Sequence, residues 1–394
     1  MDRNHPARRT RTRQRGSVII TVAFALVACF ACSVLVIDLG LIWLTRIQLQ
    51  NAADAAALAG AFELINGNEV GAREAAIQMA ASNVAWREGL DPVVIVDGDV
   101  TFPTGKRCRV ETHRTTATGD ALRTFLVKVV DPGDDALANV TAVAEAEYFY
   151  VCETTCMKPW SVPDRWDDLD DDGRYDYEEE WEDLNGNGEY DPGEPYTDAN
   201  GNGQWDDREP YDPVGTGYLA PDDVGTQVHL KIGDPNDVIT PGFFYAVNFP
   251  PLNEGTPETG AAQYRWNIEN CSPYAISIGD ELQIEPGNMT GPTKLGAQAL
   301  IDQDPQAYWD NTTGSVLGSA YGTSPRVVHM ALFDPYSTPQ SGRNSVFVSK
   351  LCGFFLEDVQ PNGTVVGRFM DDAVQGGECD PGQPGLLYSV RLEL

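Results

Sequence analysis

SVIITVAFALVACFACSVLVI (Ser17–Ile37) runs without a break into DLGLIWLTRIQLQNAADAAALAGAF (Asp38–Phe62), and this joint stretch decides the architecture. Its first 21 residues carry no charge. At about 1.5 Å rise per residue, a helix of that length crosses a hydrocarbon core of roughly 30 Å. Arg3, Arg8, Arg9, Arg11, Arg13 and Arg15 stand ahead of it against Asp2 alone. The positive-inside bias therefore predicts a cytoplasmic basic tail over 1–16 and an extracytoplasmic chain beyond the span. Apolar character persists past Asp38 through Leu39, Leu41, Ile42, Trp43 and Leu44, longer than a signal peptide's apolar core of about 7–15 residues. A retained transmembrane helix over 17–44 is expected. Leu26–Cys29 has the outline of a lipidation box, but a lipidated cysteine takes a polar tether, whereas here more helix follows.

Arg46–Phe62 consists almost wholly of good helix formers and has no proline, so the helix is expected to continue to about Phe62. Ala52, Ala55, Ala56 and Ala59 form a small-residue stripe at helical spacing. Such a stripe admits a close-packed second helix, from the chain's own domain or from a partner.

Arg15-Gly16-Ser17, Asp38-Leu39-Gly40 and the run Leu49–Ala61 resemble the N-terminal region of TadE/TadG-like proteins, part of the bacterial Flp (tight adherence) pilus assembly machinery. A looser likeness continues through Arg107–Val110, Ala121–Phe125 and Val140–Ala144, and through Lys158–Trp160, Pro163-Asp164, Ile284–Asn288 and Gly291–Thr293. The resemblance implies a bacterial inner-membrane location and partners among pilus or secretion-machinery proteins, contacted through the 17–62 helix. Two features depart from it. The metal-binding Asp-x-Ser-x-Ser motif of many TadG-like proteins is missing, and Thr21 stands where a processed pseudopilin carries glutamate.

An α+β fold class is expected: the anchor helix, a small α+β domain over 45–150, a connector at 151–163, an acidic insert at 164–212 and a mostly β domain over 217–394. In the first domain, Ala72–Arg87 reads as an amphipathic helix ended by Asp91-Pro92, with strands at Val93–Phe102, Arg107–Thr115 and Ala138–Tyr150. Leu122–Val130 fits either state. The last domain shows short β-type runs separated by turn signals, at Val228–Ile232, Phe243–Phe249, Tyr274–Ile278, Val327–Phe333, Val346–Val348 and Leu386–Leu392. A helix near Lys294–Gln303 interrupts them, and a sandwich or another mostly β arrangement is expected. Six cysteines follow the span (Cys108, Cys152, Cys156, Cys271, Cys352, Cys379), an even number that suits disulfides of unassigned pairing in an exported region.

The net charge of −32 excludes a nucleic-acid partner, which needs a basic face. Between Asp164 and Asp212 stand 20 acids against Arg165, Arg174 and Arg208, more than half of that charge in one insert. The insert holds three twelve-residue loops of EF-hand type, beginning at 168, 183 and 198. The first offers Asp168, Asp170, Asp172, the Arg174 carbonyl, Asp176 and Glu179. The second offers Asp183, Asn185, Asn187, the Glu189 carbonyl, Asp191 and Glu194. The third offers Asp198, Asn200, Asn202, the Gln204 carbonyl, Asp206 and Glu209. Hard oxygen ligands in that number predict calcium, Ca2+, as the bound ion. With only three residues between loops, and with Pro195 and Pro210 beyond two of them, flanking helices do not fit. A stack of loops on an aromatic spine is expected, built from Tyr175, Tyr190 and Trp205 with Trp181, Tyr196 and Tyr211.

No nucleophile–base pair, phosphate loop or metal triad stands out in the remainder, so neither an enzyme nor a small-molecule substrate is expected. The leading expectation is a non-catalytic, membrane-anchored pilus-assembly component stiffened by calcium. The second is a calcium-dependent surface adhesin on the same anchor.

Overall fold

A computed structural model of the chain describes residues 17–86, 90–125, 136–169, 171–198, 203–233, 238–337, 344–379 and 385–393. The fold is mixed α/β with two large sheets behind a single membrane-length helix. It divides into two compact units, Met1–Glu147 with Arg391–Leu394, and Tyr148–Val390.

In the first unit, helix α1 (Ser17–Glu63) runs 47 residues without interruption. Among the described residues it is the one helix long and apolar enough to cross a membrane. Its two halves differ in what surrounds them. Val18, Ile19, Phe24, Val27, Phe30 and Trp43 are all more than half exposed, as a lipid-facing segment requires. Leu49, Ala52, Ala53, Ala56, Ala57 and Ala61 are wholly buried. Of the expected stripe, Ala52 and Ala56 are occupied by the chain's own unit, whereas Ala55 and Ala59 are half-buried; the covered face is shifted onto Ala53 and Ala57. Helix α2 (Glu69–Ala81), capped where Asn68 Oδ1 accepts the Gly71 N–H at 2.9 Å, brings Ala72, Ala76 and Ala80 to meet it. Methyl against methyl lets the two helices approach closely, which larger side chains would prevent.

Three antiparallel strands of one of the two large sheets complete this unit: Val100–Thr104, Arg107–Arg114 and the first part of Val140–Thr154. Cys108, Val110, Thr112 and Arg114 alternate onto its buried face with Val140, Ala142, Ala144 and Ala146. Thr112 Oγ1 donates to the Leu49 carbonyl at 2.9 Å, tying this face to α1.

Two boundaries move from their expected places. Helix α2 stops at Ala81 instead of continuing to Arg87, because Val84–Trp86 pairs antiparallel with Leu90–Pro92. Buried Arg114 donates to the Ala85, Asp91 and Pro92 carbonyls at 3.0–3.2 Å, and Trp86 N–H donates to Gln48 Oε1 at 3.0 Å. Of the expected strand Val93–Phe102 only the end forms, within Val100–Thr104; residues 93–96 are irregular and a 3-10 turn follows at Asp97–Asp99, where Asp99 Oδ2 accepts the Val96 N–H at 2.8 Å. Leu122–Arg123 forms a short strand with Leu137–Ala138, and residues 126–130 of that expected element lie outside the described residues.

The second unit is built on a ring of six strands: Met157–Pro163, Phe243–Ala246, Gln227–Ile232, Val365–Met370, Ser345–Val359 and Val327–Phe333. The long strand Ser345–Val359 pairs with both Val327–Phe333 and Val365–Met370, which closes the path and leaves Glu281–Gln283 as an appended strand. Closure satisfies the edges that a sandwich would have to protect. Alternate residues supply two cores. Trp160, Val162, Phe244, Met330, Leu332, Cys352, Phe354 and Phe369 belong to one, joined by Tyr264 and Ile268 of helix Ala261–Glu269 and by Ala297 and Leu300 of helix Thr290–Gln303. Phe243, Tyr245, Ala331, Phe333, Val346 and Val348 belong to the other, joined by Trp166 and Tyr175 of the acidic insert. Both faces of these strands are covered, which explains their continuous apolar runs.

Two disulfides form within this unit, Cys152–Cys379 and Cys156–Cys271. Cys108 and Cys352 are buried thiols.

Candidate functional site

The acidic insert repeats one local device three times. The aspartate that opens each loop accepts the N–H of the glycine five residues on: Asp168 from Gly173 at 2.9 Å, Asp183 from Gly188 at 2.9 Å and Asp198 from Gly203 at 3.0 Å. The three glycines have φ of 75°, 80° and 78°, a left-handed backbone that a Cβ disfavours. Short acidic side chains folding back on their own amides make these turns.

The loops then pair in an order that their even spacing hides. Glu194 closes its own, second loop, accepting the Leu184 N–H at 2.8 Å and the Asp191 N–H at 2.9 Å. Glu209, at the end of the third loop, closes the first, accepting the Leu169 and Asp176 N–H groups at 3.0 Å each. Backbone bonds match this crossing: Glu209 N–H to Asp176 O at 3.1 Å, and Glu179 N–H to Asp206 O at 3.0 Å. Between them the chain pairs across Trp181 and Tyr196, with Glu182 N–H to Pro195 O at 2.9 Å and Thr197 N–H to Glu180 O at 2.8 Å. The insert is thus a hairpin, with the second loop at its tip and the first and third side by side at its base. It is not a linear stack.

The aromatic spine is divided accordingly. Tyr190 and Trp205 stack with ring centroids 4.3 Å apart, and Trp181 and Tyr196 meet Tyr190 edge-on. Tyr175 turns away into the unit's core, edge-on to Trp166 and Tyr177, and its hydroxyl donates to the Glu209 carbonyl at 3.2 Å.

The expected calcium is corrected here. Among the described residues no group of three or more His, Cys, Asp or Glu is placed to hold a metal ion. Several of the side-chain oxygens chosen for the cation are engaged by amides. Asp172 Oδ1 accepts the Arg174 N–H at 2.7 Å, Asn185 Oδ1 the Asn187 N–H and Asn187 Oδ1 the Glu189 N–H, both at 2.9 Å. Asn187 turns its amide nitrogen to Asp191 Oδ2 at 2.9 Å, a donor where a cation needs an oxygen. The Arg174 carbonyl accepts from the Trp166 indole at 3.2 Å. Asp176, Glu179, Glu194 and Glu209 are buried. Asp170, Asn200 and Asn202 lie outside the described residues.

Charge is held unevenly in this hairpin. Burial, together with Asp168 and Asp176 nearby, pushes Glu209 up to about 7, against the two amides that favour its anion. Asp183 lies below the usual carboxylate range: burial would raise it, but the Gly188 and Gly186 amides outweigh that.

Comparison with curated proteins and with solved structures returns no match. Residues 16–63, the whole of α1, match the family described as "Putative Flp pilus-assembly TadE/G-like".

Proposed function

We propose that this chain is a non-catalytic, single-pass component of a Flp-type pilus assembly machine in a bacterial inner membrane, with its basic tail cytoplasmic and both units extracytoplasmic. The observation that carries this is the coincidence of the family match over 16–63 with one unbroken helix, lipid-facing first and buried in its own unit afterwards. Two disulfides in the second unit support an oxidising compartment for it. Because Ala52 and Ala56 pack inside the first unit, contacts with the machine fall to the exposed apolar face of 18–44.

A deletion strain tests the proposal together with photo-crosslinking from Phe24 or Val27. Loss of surface pili and capture of an integral membrane protein of the pilus apparatus are expected. Normal pili in the deletion strain would overturn it.

A further inference from the structure

Asp164 and Lys350 meet inside the second unit. Asp164 directly follows strand Met157–Pro163, and Lys350 lies on Ser345–Val359 in alternation with Cys352 and Phe354, so it points to the same core as they do. Lys350 Nζ is 3.2 Å from Asp164 Oδ2, and the two side chains are 2% and 0% exposed.

Each atom of the carboxyl group has a distinct environment. Oδ1 accepts two backbone N–H groups, from Tyr218 at 2.8 Å and from Arg165 at 3.0 Å. Oδ2 accepts the Tyr211 hydroxyl at 3.0 Å. Lys350 Nζ donates to the Tyr218 carbonyl at 2.9 Å, which keeps it beside the carboxyl. Gly217 covers the pair so closely that a Cβ there would collide with Nζ and approach Asp164 Cγ at 2.9 Å. A buried ion pair would use the same hydrogen bonds to offset its desolvation; the close cover by Gly217 and the different partners of the two oxygens also suit a reaction. An acyl transfer needs a nucleophile at contact distance, two fixed donors on the oxygen that gathers charge, a hydroxyl on the oxygen that leaves, and no bulk water.

The geometry points to an intramolecular isopeptide bond between Lys350 Nζ and Asp164 Cγ, formed by the folded chain itself. Burial raises the pKa of Asp164 above the usual carboxylate range and lowers that of Lys350, each against the pull of the other's charge, so desolvation works toward the neutral acid and the neutral amine that the reaction uses. The amine lone pair attacks Cγ and the C–N bond forms. Negative charge collects on Oδ1 between the Tyr218 and Arg165 amides. Tyr211 passes its proton to the Oδ2 hydroxyl, the C–Oδ2 bond breaks, and water departs while an Nζ proton restores the phenol. One acid and one amine become one amide and one water, with no change of oxidation state. The product is a neutral amide, which leaves no ionisable pair to bury.

Its consequence is mechanical. The link joins the start of the acidic insert to a strand two places away in the ring, across Val327–Phe333. It does not depend on the pilus proposal.

Intact mass of the reduced, denatured full-length chain tests it. The wild-type chain is expected to be one water lighter than its sequence, and a digest to contain a branched peptide joining the Asp164 and Lys350 segments. The Lys350→Arg chain is expected at its full sequence mass. A wild-type chain at full sequence mass overturns the proposal, as does a lost water that maps to any other pair. Neither wild-type outcome depends on whether the variant folds.

Discussion

Gly60 lies against Cys108: a Cβ on Gly60 would run into the Cys108 sulfur and come within 3.2 Å of the Ala72 carbonyl oxygen. This is where α1 crosses both α2 and the sheet, and only a residue without a side chain fits. Gly60→Ala should gain about 1 kcal/mol of helix propensity and lose about 1–3 kcal/mol to overpacking, for a net loss. In a Cys108→Ala background the loss should shrink, with a coupling of about 0.5–3 kcal/mol. Denaturant unfolding of the four variants measures it; a stabilising Gly60→Ala would contradict the contact. Burial pushes the Cys108 thiol up to about 12, so thiol labelling should report opening of this unit.

Glu209 serves a loop 40 residues away from its own position. Glu209→Ala should remove the acceptor of two first-loop amides and cost about 1–3 kcal/mol locally. Hydrogen exchange should accelerate at Leu169 and Asp176, while Leu184 and Asp191, held by Glu194, stay protected. Faster exchange confined to the third loop would contradict the crossed pairing.

Lys158 is nearly buried, with its Nζ donating to the Asn270 carbonyl at 2.9 Å, and burial lowers it to about 8 from 10.5. Below pH 8 the folded unit must bury the charge; above 10.5 lysine is neutral whether folded or not. Between those values the unfolded chain binds more protons, so this residue makes stability rise with pH, by up to about 3 kcal/mol. Lys158→Met should flatten that rise, measured as denaturant midpoints from pH 8 upward. Equal slopes for both proteins would contradict it.

The disulfides Cys152–Cys379 and Cys156–Cys271 close sequence separations of 227 and 115 residues. Replacing either pair with serine should destabilise the second unit by about 2–5 kcal/mol. Unfolding followed by Trp fluorescence checks it, and the Tyr190–Trp205 stack offers a reporter in the hairpin.

Helix α1 was legible because its signal is local and cumulative: an uncharged run, then helix formers without a break. The three loops beginning at 168, 183 and 198 were legible for the same reason, since each opening aspartate finds its amide within five residues. Their use was not. A carboxylate and an amide oxygen suit a cation and a backbone N–H equally well, and only the path of the chain brings Leu169 and Asp176 to Glu209. The run from Ala72 to Arg87 looked uniformly helical because nothing within it announces that Trp86 will pair with Leu90.

By itself the sequence determined a helix long and apolar enough to cross a membrane, its alanine-rich continuation, an acidic insert of three turns and enough cysteine beyond the helix for cross-links. Each of these follows from residues within a few positions of one another. Tertiary structure alone decided that the alanines pack inward, that the insert folds as a crossed hairpin, that six strands close into a ring, and that Asp164 meets Lys350. Those outcomes depend on contacts between distant segments, whose free energy no local pattern encodes.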